Sequence, residues 1–157
     1  MQILPAKLED AATLTEIAFA AKRHWGYSER WIEAWRDILT IRPEFIANNE
    51  NYVADEGAQV VGFYGLVRQL SQMSLEHLWV LPEFMGKGIG RALFNHAIDR
   101  AHALGFESIL IESDPNAEGF YKRMGARLVG SSVSELDGQR RELPLLIMNC
   151  TPHGHKA

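Results

Sequence analysis

The chain of 157 residues holds a single cysteine, Cys150, so no intrachain disulfide can form and no cysteine-based metal cluster can assemble. A lone thiol near the end of the sequence reads as a small buried side chain rather than a nucleophile. No apolar run approaches the ~18 residues that a membrane-spanning helix needs. Positive charge is also scarce. Against 20 Asp and Glu stand 16 Lys and Arg, a formal net charge of -4, which gives no general attraction to a phosphate backbone. Neither nucleic acid nor membrane is therefore an expected partner. The stretch from Met1 to Asp10 lacks the basic start and apolar core of a secretion signal, which points to the cytoplasm. Repeats, low-complexity tracts and Pro/Gly/Ser linkers are missing as well, so the expectation is one domain over 1–150 and a loose tail over 151–157. His153 and His155 in that tail have no acidic or cysteine neighbours, and no metal is expected.

What is present is an ordinary globular composition, 46% hydrophobic and 23% charged, sufficient for a core that needs no staples. Strand and helix patterns alternate. Ile3 to Leu8 suggests a strand, and Asp10 a cap for a helix whose apolar positions Leu14, Ile17, Ala18, Ala21 and Trp25 keep helical spacing until Gly26. Ser28 is a second cap, followed by Trp31, Ile32, Trp35, Ile38 and Leu39 on one predicted face. A short helix opens at Pro43. Tyr52 to Ala54 and Val60 to Val67 read as strands joined through Asp55-Glu56-Gly57. In the next strand, Leu75 to Leu81, the two-residue alternation puts Glu76, Leu78 and Val80 on one face and Leu75, His77, Trp79 and Leu81 on the other. His77, opposite Glu76, reads as a structural histidine. A glycine-rich turn then enters a helix from Ile89 to Leu104, with Gly105 as its stop. Ser108 to Glu112 is a buried strand and Ala117 to Met124 a short helix. Ala126 to Ser134 pairs with Leu143 to Met148 across Asp137-Gly138, with Pro144 requiring a bulge or an open edge in the last strand.

The turn Met85-Gly86-Lys87-Gly88-Ile89-Gly90-Arg91 places three glycines between strand and helix, where bare amides and a helix N-terminus can hold an anion. Lys87 and Arg91 add positive charge for a pyrophosphate. The spacing fits neither the dinucleotide Gly-x-Gly-x-x-Gly fingerprint nor a Walker loop. Read without further context, the glycines equally serve a tight connection.

The run from Leu78 through Leu93 resembles the acetyl-CoA-binding motif of the GNAT acetyltransferases, with Met85 where that family usually has Gln or Arg. Asp114-Pro115-Asn116-Ala117-Glu118-Gly119-Phe120-Tyr121-Lys122-Arg123-Met124-Gly125-Ala126 is similar to the family's later Asn-x-x-Ala-x-x-Phe-Tyr segment. The resemblance covers about Glu76 to Ala126. It implies an α/β fold with a mixed, mostly antiparallel sheet of six to seven strands flanked by helices, and acetyl-CoA held at the strand-loop-helix motif. By the same resemblance Leu78, Trp79, Val80, Met85, Gly86, Lys87, Gly88, Ile89, Gly90, Arg91, Asn116, Phe120, Tyr121 and Lys122 contact the cosubstrate, Asn116 at its pantetheine arm.

An alkylammonium must lose a proton before it attacks a thioester, which calls for a base. The resemblance implies Glu76 in that role, directly or through water, with Val80 N–H stabilising the oxyanion and Tyr121 as acid at the departing sulfur. Each has a plainer reading: Glu76 as a surface carboxylate, Tyr121 with Phe120 as packing. The aromatic residues Trp25, Tyr27 and Trp31 are candidates for an acceptor pocket that selects a cation, although such stripes are more often core. The activity implied is transfer of acetyl to a primary amine in a ternary complex. A CoA-binding regulatory module and an enzyme using another acyl-CoA are the alternatives. The acceptor is a small-molecule or peptide amine, and C-terminal edge strands leave a homodimer open.

Overall fold

The computed structural model describes residues 1–150, so the tail expected over 151–157 lies outside the described residues. The described chain forms a seven-stranded sheet flanked by helices, in the order β1-β2-β3-β4-β5-β7-β6. Strands β1 (Gln2–Pro5) and β2 (Glu50–Asp55) pair antiparallel. Between them run α1 (Ala11–His24), α2 (Glu29–Ala34), α3 (Arg36–Leu39) and α4 (Pro43–Asn48). Then come β3 (Val60–Gln69), β4 (Gln72–Val80), α5 (Ile89–Ala103), β5 (Ser108–Glu112), α6 (Glu118–Arg123), β6 (Arg127–Leu136) and β7 (Gln139–Asn149). By packing, the chain forms two compact units: Met1–Gly65 with His77–Phe94, and Leu66–Glu76 with the residues from Asn95 on.

In the first unit, α1 buries Leu14, Ile17, Ala18 and Ala21 of the predicted stripe and Phe19 in addition, while Trp25, just past the helix end, is 39% exposed. Its start differs from expectation. Asp10 makes no side-chain bond into α1; its carboxylate instead accepts the Lys7 N–H at 2.8 Å, closing a 3-10 turn. Ser28 does cap, its Oγ accepting the Trp31 N–H at 3.2 Å. The face predicted over Trp31 to Leu39 is broken at Trp35, where the backbone leaves helical geometry between α2 and α3. That break turns Ile38 outward, 67% exposed, while Ile32, Trp35 and Leu39 stay buried.

Gly62 in β3 sits where two backbones meet. A Cβ there would lie 2.9 Å from the Trp79 carbonyl oxygen, 3.2 Å from Leu93 Cδ1 and 3.3 Å from Val80 Cγ2. The carbonyl cannot rotate away without moving β4. Gly62→Ala should therefore cost about 1–3 kcal/mol of stability, seen as a lower midpoint in urea; an unchanged midpoint would mean that β4 yields freely.

In the second unit, β4 and β5 pair in parallel from Met73↔Ile109 to Leu75↔Ile111. A parallel pair needs a long crossover, and α5 supplies it. The ladder stops there, β5 ending at Glu112 while β4 runs on to Val80. β6 and β7 form a hairpin closed by Asp137 (φ 53°) and Gly138 (φ 77°), the left-handed pair that a two-residue turn demands. The hairpin's irregularity falls between Leu128 and Gly130, not at Pro144. Pro144 lies one residue beyond the last β5–β7 pair, Glu112↔Leu145, and its carbonyl accepts the N–H of Ser113, the residue that follows β5, at 2.9 Å.

Candidate active site

The glycine turn follows β4 through a 3-10 turn over Pro82–Phe84. Gly86 (φ 77°) and Gly88 (φ 84°) both take the left-handed backbone that glycine alone adopts cheaply, and the space where their side chains would stand is open. The first helical bond at the start of α5 is Ala92 N–H to Gly88 O at 3.0 Å. The amides before it stand outside the α5 ladder, at the positive end of a 15-residue helix. Lys87 and Arg91 are exposed beside them, with Lys87 Nζ 5.1 Å from the Phe84 ring centre. Ile89 is buried and anchors the turn, while Met85 and Gly90 are partly covered. Donors, charge and open space suit a pyrophosphate, so the residues present fit the phosphate part of a CoA ester.

On β4, Leu75 and His77 are buried and Glu76 between them is exposed, as the predicted alternation has it, while Leu78, Trp79 and Val80, and Leu81 just past the strand, are all intermediate. His77 Nδ1 accepts the Trp79 indole N–H at 3.0 Å, and its ring meets those of Phe45 and Phe63. Burial lowers its pKa to about 4, so it stays a neutral acceptor locked in the core. Trp79, counted among the cosubstrate contacts by resemblance, directs its indole to His77, on the face opposite Glu76.

Although Glu76 is exposed as a residue, its carboxyl is raised from the ordinary glutamate value, first because neighbouring protein partly desolvates it and second because Glu112 adds negative charge. Tyr121 is buried on α6, its phenol pushed up by burial and by Asp114, so it stays protonated. Phe120 stacks edge-on against it with ring centres 5.2 Å apart. Lys122 pairs with Glu118 at 2.7 Å across one helical turn.

Asn116 is turned toward its own loop. Asp114 Oδ1 accepts from Asn116 N–H at 2.8 Å and from Asn116 Nδ2 at 3.0 Å. In the Asn-x-x-Ala-x-x-Phe-Tyr pattern, the residue three before Ala117 is Asp114, not Asn116, so the pattern's first place belongs to the aspartate that starts the 3-10 turn. Counting back from Ala117 makes this legible in the sequence itself.

The aromatic candidates form a cluster closed over a cation of the chain itself. Lys22 Nζ lies 4.1 Å from the Trp35 ring centre and 5.1 Å from that of Tyr27, with Trp79 at 5.9 Å. Tyr27 and Trp31 stack at 5.8 Å within that cluster. Trp25, 39% exposed, contacts His24 edge-on instead. Cys150 is buried, its thiol pushed up to about 12 by burial and by Asp99, which leaves no thiolate for nucleophilic work near neutral pH. Among the described residues, no group of three or more His, Cys, Asp or Glu is placed to hold a metal ion. Nor, among them, is any helix long and apolar enough to cross a membrane.

Comparison with known proteins places this architecture. The family model described as the acetyltransferase (GNAT) domain matches residues 25–140. The chain belongs to the GNAT acetyltransferase family. The peptidyl-lysine N-acetyltransferase YjaB of Escherichia coli K12 is 33% identical over 111 residues, 71% of this chain and 66% of that protein. The chain thus spans about two thirds of that relative's length. Among solved structures, an N-acetyltransferase of the same family from Rhodopseudomonas palustris superposes with a TM-score of 0.79 at 21% identity, covering 93% of each chain. The PaiA N-acetyltransferase of Thermoplasma acidophilum, solved with coenzyme A, gives 0.73 at 23% identity over 93% of this chain and 96% of its own. These likenesses share the fold.

Proposed function

We propose that this chain is an acetyl-CoA-dependent N-acetyltransferase that passes acetyl to a primary amine by direct attack, without a covalent enzyme intermediate. The observation that carries the reading is the β4-turn-α5 unit: a left-handed glycine turn at the N-terminus of a 15-residue helix, directly after a strand that carries a carboxylate of raised basicity. When bound there, acetyl-CoA supplies an activated thioester carbonyl. Lys87, Arg91 and the turn amides hold its phosphates, with Leu78 and Val80 presenting backbone and side chain along β4.

Glu76 takes one proton from the acceptor ammonium, which frees the nitrogen lone pair to form the C–N bond as the C–S bond breaks. A carboxylate of raised basicity suits that task better than an ordinary glutamate. Val80 N–H supports the oxygen that gains negative charge. Tyr121, kept protonated by burial, is the donor to the departing sulfur, and the second proton that the nitrogen loses as the amide forms restores the phenol, so that the one proton released overall is the one on Glu76. A buried thiol of high pKa at Cys150 supports transfer without an acetyl-cysteine step.

The relative named a peptidyl-lysine N-acetyltransferase makes lysine-containing peptides the first acceptors to try.

A thiol of pKa near ~8.5 is already a fair leaving group, so loss of the acid is the milder lesion. Tyr121→Phe should fold and bind acetyl-CoA while losing about tenfold in kcat; unchanged turnover would reduce Tyr121 to packing against Phe120. The reading as a whole is tested by calorimetric titration with acetyl-CoA beside thiol release with a panel of amines and lysine peptides. Tight binding without amine-dependent release would favour a CoA-binding regulatory module.

A further inference from the structure

The β4–β5 ladder ends at Leu75↔Ile111, and the next residues along the two parallel strands are Glu76 and Glu112. One residue past the last pair of a ladder whose strands lie about 4.8 Å apart, these two exposed side chains fall on the same face and close together. Glu112 is itself held: Ser132 on β6 donates its hydroxyl to Glu112 Oε2 at 2.7 Å. β7, paired with β5, faces Glu112 with the uncharged Leu145. β3, the other neighbour of β4, has one charged side chain, Arg68, whose guanidinium lies 5.0 Å from the Phe106 ring centre. The one charge that perturbs Glu76 is therefore Glu112, and it does so on top of desolvation.

We propose that Glu112 is a positioning residue for acceptor deprotonation: held by the Ser132 hydroxyl of β6, the strand beyond β7, its carboxylate stands beside Glu76 just past the end of the β4–β5 ladder. Neighbouring like charges share their cost by letting one member keep a proton longer. Ser132 commits one oxygen of Glu112, so Glu76 is the member left to exchange protons with the acceptor. In the transfer step, the proton moves from the acceptor nitrogen to a Glu76 oxygen, while Glu112 gains and loses nothing.

This inference rests on Glu76 as the base, and the experiment separates the two. The Glu76 side-chain carboxyl is titrated by carbon-13 NMR in the wild type, in Glu112→Gln and in Ser132→Ala, with acceptor-dependent rate against pH measured on the same proteins and on Glu76→Gln. Glu112→Gln is expected to move the Glu76 midpoint to lower pH and to carry the acidic limb of the kcat/KM profile with it. Ser132→Ala, which keeps both carboxylates but frees Glu112, should alter the Glu76 titration less than Glu112→Gln does. A Glu76 midpoint that stays put in Glu112→Gln overturns the proposal, whatever happens to the rate. If the midpoint moves but the limb survives in Glu76→Gln, Glu76 is not the base, and Glu112 loses its role with it.

Discussion

Replacing Glu76 by Gln is expected to lower kcat/KM by about 10²-fold or more, the usual yield of a positioned general base, while leaving the protein at least as stable at neutral pH. The two halves of this prediction come from one observation. In the folded chain Glu76 keeps its proton to higher pH than an ordinary glutamate, because burial and Glu112 both penalise its charge. The stability linked to this group is therefore complete below the unfolded pKa and is lost as pH rises through the folded one. Near neutrality the ionised carboxylate is a net cost, and Gln removes it. A rate measurement beside thermal melts at two pH values checks both statements. Loss of rate with loss of stability would mean that Glu76 holds the strand together, and full rate in the folded variant would remove it from the chemistry.

The second large effect concerns the turn. Gly86→Val with Gly88→Val forces β-branched residues into backbone at φ 77° and φ 84°, where an L-residue loses roughly 1–2 kcal/mol each. No atom lies within 4 Å of either added Cβ, so the strain is in the backbone alone and the turn relieves it by giving up its conformation. Calorimetry should show the acetyl-CoA dissociation constant rising about 30-fold or more, with the melting temperature falling by no more than the several degrees that this strain accounts for. A normal dissociation constant would move phosphate recognition away from the turn and onto side chains such as Lys87 and Arg91.

Much of the framework was legible because its signals are local. The Ser28 cap, the Asp137-Gly138 hairpin, the two-faced strand around Glu76 and the glycine turn each need only a few neighbouring residues to be read. What escaped depends on distant partners. Asp10 looks like a cap, yet a 3-10 turn takes its carboxylate back to Lys7. Ile38 fits the helical stripe on paper, and the break at Trp35 rotates it into solvent. The aromatic stripe around Tyr27 gives no hint that Lys22 supplies its cation, since nothing in linear spacing says where that ammonium folds back. Glu112 was invisible for a similar reason: its meeting with Glu76 depends on the register of two strands separated by the whole of α5, and the hydroxyl that holds it comes from β6.

The most direct test of the account is release of free CoA thiol from acetyl-CoA with lysine-containing peptides and simple primary amines, with the acetylated product identified by mass. The account predicts acceptor-dependent release, an acetyl group on the acceptor nitrogen, and none on the protein when the acceptor is omitted. Acetyl-CoA binding with no release for any amine, or acetyl found on Cys150 in place of the acceptor, would contradict it.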